Sequence, residues 1–149
     1  MRKYAALLCA LFATASAAVA AVPHQRWEAT STTAMSITGD VAFTPERLTF
    51  ADGKSIAIAY VGVVRIGDAN GGSPRRPVQL YRVLSRRDPT LLRGNTLCGN
   101  PPTFLTIAHE PDAATPELTL VIVGLYWDPH APRSSGDHLC ASYVYALQR

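Results

Sequence analysis

This chain of 149 residues contains no internal repeat and, past residue 20, no low-complexity tract and no stretch in which apolar residues recur with a helical period. Repeat architectures and helical bundles are therefore excluded. An excess of one charge is missing too. Fourteen Lys and Arg stand against eleven Asp and Glu, and setting aside Arg2 and Lys3 leaves twelve against eleven. Nonspecific affinity for nucleic acid comes from neutralising many phosphates at once, so this balance excludes a nucleic-acid partner. No Gly-x-Ser-x-Gly elbow and no cofactor motif occur, so no catalytic residue and no cofactor are expected.

What is present first is an address. Arg2 and Lys3 give a positive start, Tyr4 to Ala15 is apolar, and Ala18-Val19-Ala20 has the small-x-small pattern that signal peptidase cuts. Residues 1–20 are expected to be a signal peptide, and residues 21–149 one domain of 129 residues, enough to enclose a modest core. The run is alanine-rich and meets Pro23 at once, which suits a cleaved signal better than a membrane span. Lipid attachment at Cys9 would need a small residue before it, and Leu8 stands there. A periplasmic or secreted protein without a stable membrane anchor is the expectation.

Cysteine is scarce, with three residues, and Cys9 belongs to the signal. Cys98 and Cys140 remain as an even pair in an oxidising compartment, where a disulfide is the default. Closing a loop of that length constrains the unfolded chain by about 4 kcal/mol on the loop-entropy account.

Turn signals recur every eight to twelve residues, and the segments between them alternate or are rich in branched and aromatic side chains. The spacing predicts strands over Trp27–Thr38, Val41–Thr44, Arg47–Phe50, Ser55–Ile66, Val78–Ser85, Thr103–His109, Glu117–Trp127 and Leu139–Leu147. Asp52-Gly53 reads as a two-residue hairpin turn. The long fourth candidate places Ile56, Ile58, Tyr60, Val64 and Ile66 on one face, with Gly62 marking a bulge. Residues 67–77 read as a flexible loop, and Asp88 to Gly94 as a turn or a single helical turn. Without helices to cover crossovers the strands are antiparallel, so the fold class is all-β: a small barrel or sandwich of seven or eight strands.

Three sets of residues offer chemistry. Between Arg65 and Arg93 there are seven arginines against Asp68 and Asp88, and Arg75, Arg76, Arg82, Arg86, Arg87 and Arg93 form a candidate patch for an anionic partner. The plainer reading is a series of solvated loops. Asp128, His130, Asp137 and His138 lie within one loop and are usable metal ligands, although their spacing matches no metal motif and turn-capping is the plainer role. His109-Glu110 resembles an acid/base pair, and Asp137-His138 with a nearby serine imitates a hydrolase triad. Trp27, Tyr60, Tyr81, Tyr126, Trp127, Tyr143 and Tyr145 would either fill a barrel or line its mouth.

Taken with Ile37-Thr38-Gly39-Asp40, Phe43 to Phe50, Gly94-Asn95-Thr96-Leu97-Cys98-Gly99 and Leu139-Cys140-Ala141-Ser142-Tyr143, the chain resembles small exported bacterial β-domain proteins without an assigned activity. The resemblance implies a disulfide between the two cysteine motifs. The general plan is also similar to that of periplasmic lysozyme inhibitors, but no inhibitory motif matches. The expected function is a non-catalytic interaction module for an envelope protein or polymer. The alternatives are a carrier of a small anionic or apolar ligand in an aromatic-lined pocket, and a metal-assisted hydrolase using the Asp128 to His138 loop.

Overall fold

Branched and aromatic side chains stand well on a pleated, half-buried surface, and the computed structural model, which describes residues 24–67 and 74–147, is built almost wholly of strands. The expected signal peptide, its cleavage point, Cys9 and residues 68–73 of the expected flexible loop lie outside the described residues. The strands are β1 (Gln25–Ala29), β2 (Val41–Thr44), β3 (Arg47–Thr49), β4 (Ser55–Ile66), β5 (Arg76–Val83), β6 (Phe104–Pro111), β7 (Thr119–Tyr126) and β8 (Leu139–Leu147). Each pairs antiparallel with its sequence neighbours, and β1 with β8, to close a barrel. Barrel rather than sandwich is the outcome, and closure turns one apolar face of every strand inward.

Two local expectations change. Trp27–Thr38 is not one strand: β1 stops at Ala29 and a single helix, α1 (Thr32–Ile37), follows. A helix this short shows no apolar period, and its threonines favour strand. Its signals are the caps. Ser31 accepts from the Ala34 amide at 3.1 Å, and Gly39, at φ +60°, ends the helix. A Cβ on Gly39 would come 2.5 Å from the Cβ of Ala51. α1 buries Ala34 and brings the Thr38 hydroxyl 2.8 Å from the phenol of Tyr145, which burial pushes up in pKa. The hairpin at Asp52-Gly53 has three residues between Phe50 and Lys54, not two. Gly53, at φ +83°, takes the left-handed position there.

The interior is filled by its own side chains. Trp27 stacks on Phe43 with ring centroids 4.8 Å apart, Phe43 meets Tyr81 edge-on at 5.8 Å, and Tyr81 meets Tyr60 at 5.4 Å. Tyr145 lies tilted against Trp27 with ring centroids 6.0 Å apart, so a chain of rings runs from Tyr145 beside α1 to Tyr60, which is itself exposed. Leu48, Ile56, Ile58, Leu105, Ile107, Val121 and Leu125 close around it. Each ring pair contributes roughly 0.5–1.5 kcal/mol beyond its buried area.

β4 departs from its expected face assignment. Its register against β5 shifts between Tyr60 and Gly62, so one extra residue interrupts the alternation. Ile56 and Ile58 point inward, whereas Val64 leaves that face and packs with Leu80, Phe104 and Tyr126 in a second cluster on the outer wall. Gly62 sits at φ +152°.

The disulfide joins Cys98 and Cys140, with Cα atoms 5.3 Å apart. Asp88 prepares its first arm by accepting from the Leu97 and Cys98 amides, each at 2.8 Å, and the Tyr143 phenol donates to the Leu97 carbonyl at 2.7 Å. A 3-10 turn at Leu92–Gly94 lies within the stretch read as a turn or helical turn.

Gly62→Ala isolates the backbone requirement of the bulge, because a Cβ there meets nothing within 4 Å. It is expected to lower unfolding free energy by about 1–2 kcal/mol in urea titration; an unchanged midpoint would show that the bulge needs no glycine. Replacing Cys98 and Cys140 together by Ser is expected to remove about 2–4 kcal/mol, read in the same titration.

Candidate functional site

The connection from β7 to β8 is rich in Pro, Ser, Gly and Asp, residues that bond their own backbone in place of a ladder. Asp137 holds its centre, accepting from the Arg133 and Ser134 amides at 2.8 Å each and from the Ser134 hydroxyl at 2.9 Å. Asp128 holds its start. It accepts from the His130 amide at 2.7 Å and meets His130 Nδ1 at 3.1 Å and His138 Nε2 at 3.6 Å. These bonds keep both carboxyls below the ordinary aspartate value: the His130 amide leads for Asp128, and the Arg133 amide leads for Asp137. His138 adopts φ +54°, and its carbonyl accepts from the Trp127 amide at 3.2 Å.

Held in this shape, the connection folds back across the outer wall and reaches the end of β4. Gly67 donates to the Arg133 carbonyl at 3.3 Å and accepts from the Ser135 amide at 2.9 Å. Between loop and wall lies an open cleft of about 1030 Å³. Val61, Val64 and Phe104 supply apolar lining, and Arg65, Arg75, Arg82 and Arg133 bring four guanidinium groups to it, beside His130 and His138. Arg82 lies over the Phe104 ring, 5.0 Å from its centroid, and Arg65 donates to the Arg75 carbonyl at 3.5 Å. The cleft's two carboxylates are Asp128 and Asp137, and both are engaged by the loop. The field in the cleft is therefore positive although the whole chain is close to neutral.

The arginine patch read from sequence is divided by the fold. Arg75 and Arg82 reach the cleft, where Arg65 and Arg133 join them. Arg76 pairs with Glu110 instead. Arg86 and Arg87 line a separate shallow cleft of about 700 Å³ with Lys54 and Asp88, and Arg93 lies on the exposed 3-10 turn. Arg133 was visible only as part of a polar loop, because its partners come from strands far away in sequence.

The candidate metal residues Asp128, His130, Asp137 and His138 share this loop, but among the described residues no group of three or more His, Cys, Asp or Glu side chains could hold a metal ion. Asp137 is turned to its own backbone, and the two imidazoles meet different oxygens of Asp128. The triad-like set is not assembled either. Ser134 donates straight to Asp137, with no histidine between them to take its proton. His109 and Glu110 are consecutive on β6, so they project to opposite faces, and Glu110 is occupied by Arg76.

Of the aromatic residues expected either to fill the barrel or to line its mouth, Trp27, Tyr81, Tyr143 and Tyr145 are buried in its core, and Tyr60 and Trp127 are exposed. An apolar cavity of about 240 Å³ exists on the outer wall, lined by Ile66, Val78, Ile122, Tyr126 and Leu139, with Thr106 among them. Tyr126 lies across Gly124 there. A Cβ on Gly124 would come 2.8 Å from the Thr106 hydroxyl and 3.1 Å from the Tyr126 hydroxyl.

Comparison with protein-family models, curated proteins and solved structures finds no match.

Because folding lowers the pKa of Asp128 and Asp137, their bonds stabilise the loop fully above the ordinary value of 3.8 and are lost as pH falls through the lower folded values. Hydrogen exchange at the His130, Arg133 and Ser134 amides is expected to show constant opening energy down to about pH 5 and selective loosening below about pH 4, ahead of the barrel. Simultaneous release of loop and barrel amides would disprove the separate control of this loop.

Proposed function

We propose that this protein is a non-catalytic binding module, exported to the periplasm or the medium, that holds an anionic envelope partner, a protein or a polymer, in the arginine-lined cleft. The observation that carries this reading is the convergence of Arg65, Arg75, Arg82 and Arg133, from separate parts of the chain, on one cleft whose two carboxylates are already engaged. Four arginines lining one cleft against two carboxylates give it a positive potential that attracts an anion. Planar guanidinium groups also match carboxylate, sulfate and phosphate oxygens pairwise. The apolar floor admits a partner that is not purely ionic. A disulfide between Cys98 and Cys140 fits an oxidising compartment.

A carrier role has one observation in its favour, the outer-wall cavity of about 240 Å³ with Tyr126 and Thr106 among its lining residues. Native mass spectrometry of the purified protein before and after denaturation separates the two readings. A small noncovalent mass supports the carrier, and a bare disulfide-bonded chain supports the partner-binding module.

The direct test is retention on an immobilised anionic polysaccharide, polygalacturonate, as salt is raised. Reversing Arg75, Arg82 and Arg133 together to Glu is expected to weaken retention at least about tenfold, because like-charge juxtaposition at an interface costs several kcal/mol. Reversing Arg86, Arg87 and Arg93, which lie outside that cleft, is the charge-matched control and is expected to do little. Equal losses in both variants would assign the attraction to net charge and end the cleft reading.

A further inference from the structure

β4 is twelve residues long but its neighbour β3 has three, and their pairing covers Ser55 to Ala57. The Ile58 amide adds one bond, to the Glu46 carbonyl at 2.9 Å. Beyond that point, β4 is paired on one side by β5, through to Ile66. Among the described residues no strand covers its other edge.

The far end of that edge shows what it can accept. Gly67 exchanges two backbone hydrogen bonds with residues 133–135, forming a single parallel bridge with Ser134. Backbone groups along a strand alternate between its two sides. The N–H and C=O groups that point the same way as those of Gly67 are therefore those of Arg65 and Val63, and the loop leaves both uncovered.

Side chains along this stretch are equally open: Tyr60 is 55%, Val61 55% and Val63 62% exposed. Sheet edges are usually blunted by charge, proline or a covering loop. Here residues 59–64 carry no charge and no proline, the bulge lies before Val63, and the charge that follows, Arg65, also lines the cleft. An uncovered edge with apolar flanks is a template for strand addition.

We propose that this edge of β4 receives an extended acidic segment of a partner protein as an added strand, with its carboxylates directed to the arginine-lined cleft. This rests on the cleft reading and specifies the form of the partner. Continuity carries it, since Val61 and Arg65 of the same strand line the cleft together with Arg75, Arg82 and Arg133. A second copy of this chain fits poorly. Two β4 edges paired about a two-fold axis would bring both sets of cleft arginines close, and Ser55–Ile66 contains no carboxylate to offset them.

The probe is a capped peptide alternating Glu and Val, measured with the full disulfide-bonded protein by fluorescence anisotropy and by hydrogen exchange. Binding is expected to slow exchange at the Val63 and Arg65 amides. N-methylation of the peptide residues that face β4 is expected to weaken binding at least about tenfold, since main-chain hydrogen bonds supply the affinity of an added strand. A Lys/Val peptide is expected not to bind. Arg65→Glu is expected to weaken the Glu/Val peptide while barrel amides keep their protection, which separates lost binding from lost folding.

Binding that is indifferent to N-methylation, or that leaves Val63 and Arg65 exchanging freely, overturns strand addition. If polygalacturonate retention still depends on the cleft arginines in that case, the cleft reading survives alone; if it does not, both fail. Concentration-dependent dimers that protect the same two amides without peptide overturn the proposal in favour of self-pairing.

Discussion

One extra residue in β4 sets the arrangement on which the rest depends. Up to Ile58 the strand alternates as a barrel wall should, with Ile56 and Ile58 inward. At the bulge by Gly62 the alternation shifts, and Val64 joins the outer cluster of Leu80, Phe104 and Tyr126. A bulge sharpens strand twist as well as switching faces. β4 therefore closes the barrel with its first half and serves the outer wall with its second. The cleft, the anchor point at Gly67 and the uncovered edge all belong to that second half.

The cleft needs a second wall, which the β7–β8 connection supplies through aspartates that serve the backbone. Asp137 and Asp128 give their oxygens to the loop and shape it, and as two charges against four arginines they leave the cleft a positive surplus. The disulfide stands just past the loop's end and fastens β8 to the strap that Asp88 organises. A loop tied by its own hydrogen bonds and a nearby disulfide has less conformational freedom to lose on binding.

Packing decided between an open and a filled barrel. Tyr145, Trp27, Phe43 and Tyr81 form a linked chain of rings in the buried core, and α1 adds Ala34 and Thr38 at the Tyr145 end. What remains for a ligand is on the outside.

Much of the fold was legible because strand signals are local. Alternation, turn residues and an even cysteine pair identified an all-β domain, the strand segments, the bulge glycine and the disulfide partners. α1 escaped because a helix of six residues announces itself by Ser31 and Gly39 rather than by a period. The faces of Val64 and Ile66 were misassigned because alternation was carried across Gly62, where the backbone breaks it. The candidate site was legible only in pieces. The basic segment and the Asp/His loop each stood out, but nothing local says that Arg75 and Arg82 would meet Arg133 while Arg76 meets Glu110 and Arg86 goes elsewhere. Sequence by itself determined the strands, the turns and the cysteine pair, since these depend on backbone preference and local side-chain chemistry. Tertiary structure alone decided barrel closure, the filling of its interior and the gathering of four arginines, since these depend on register and on which distant segments share one side of a curved wall.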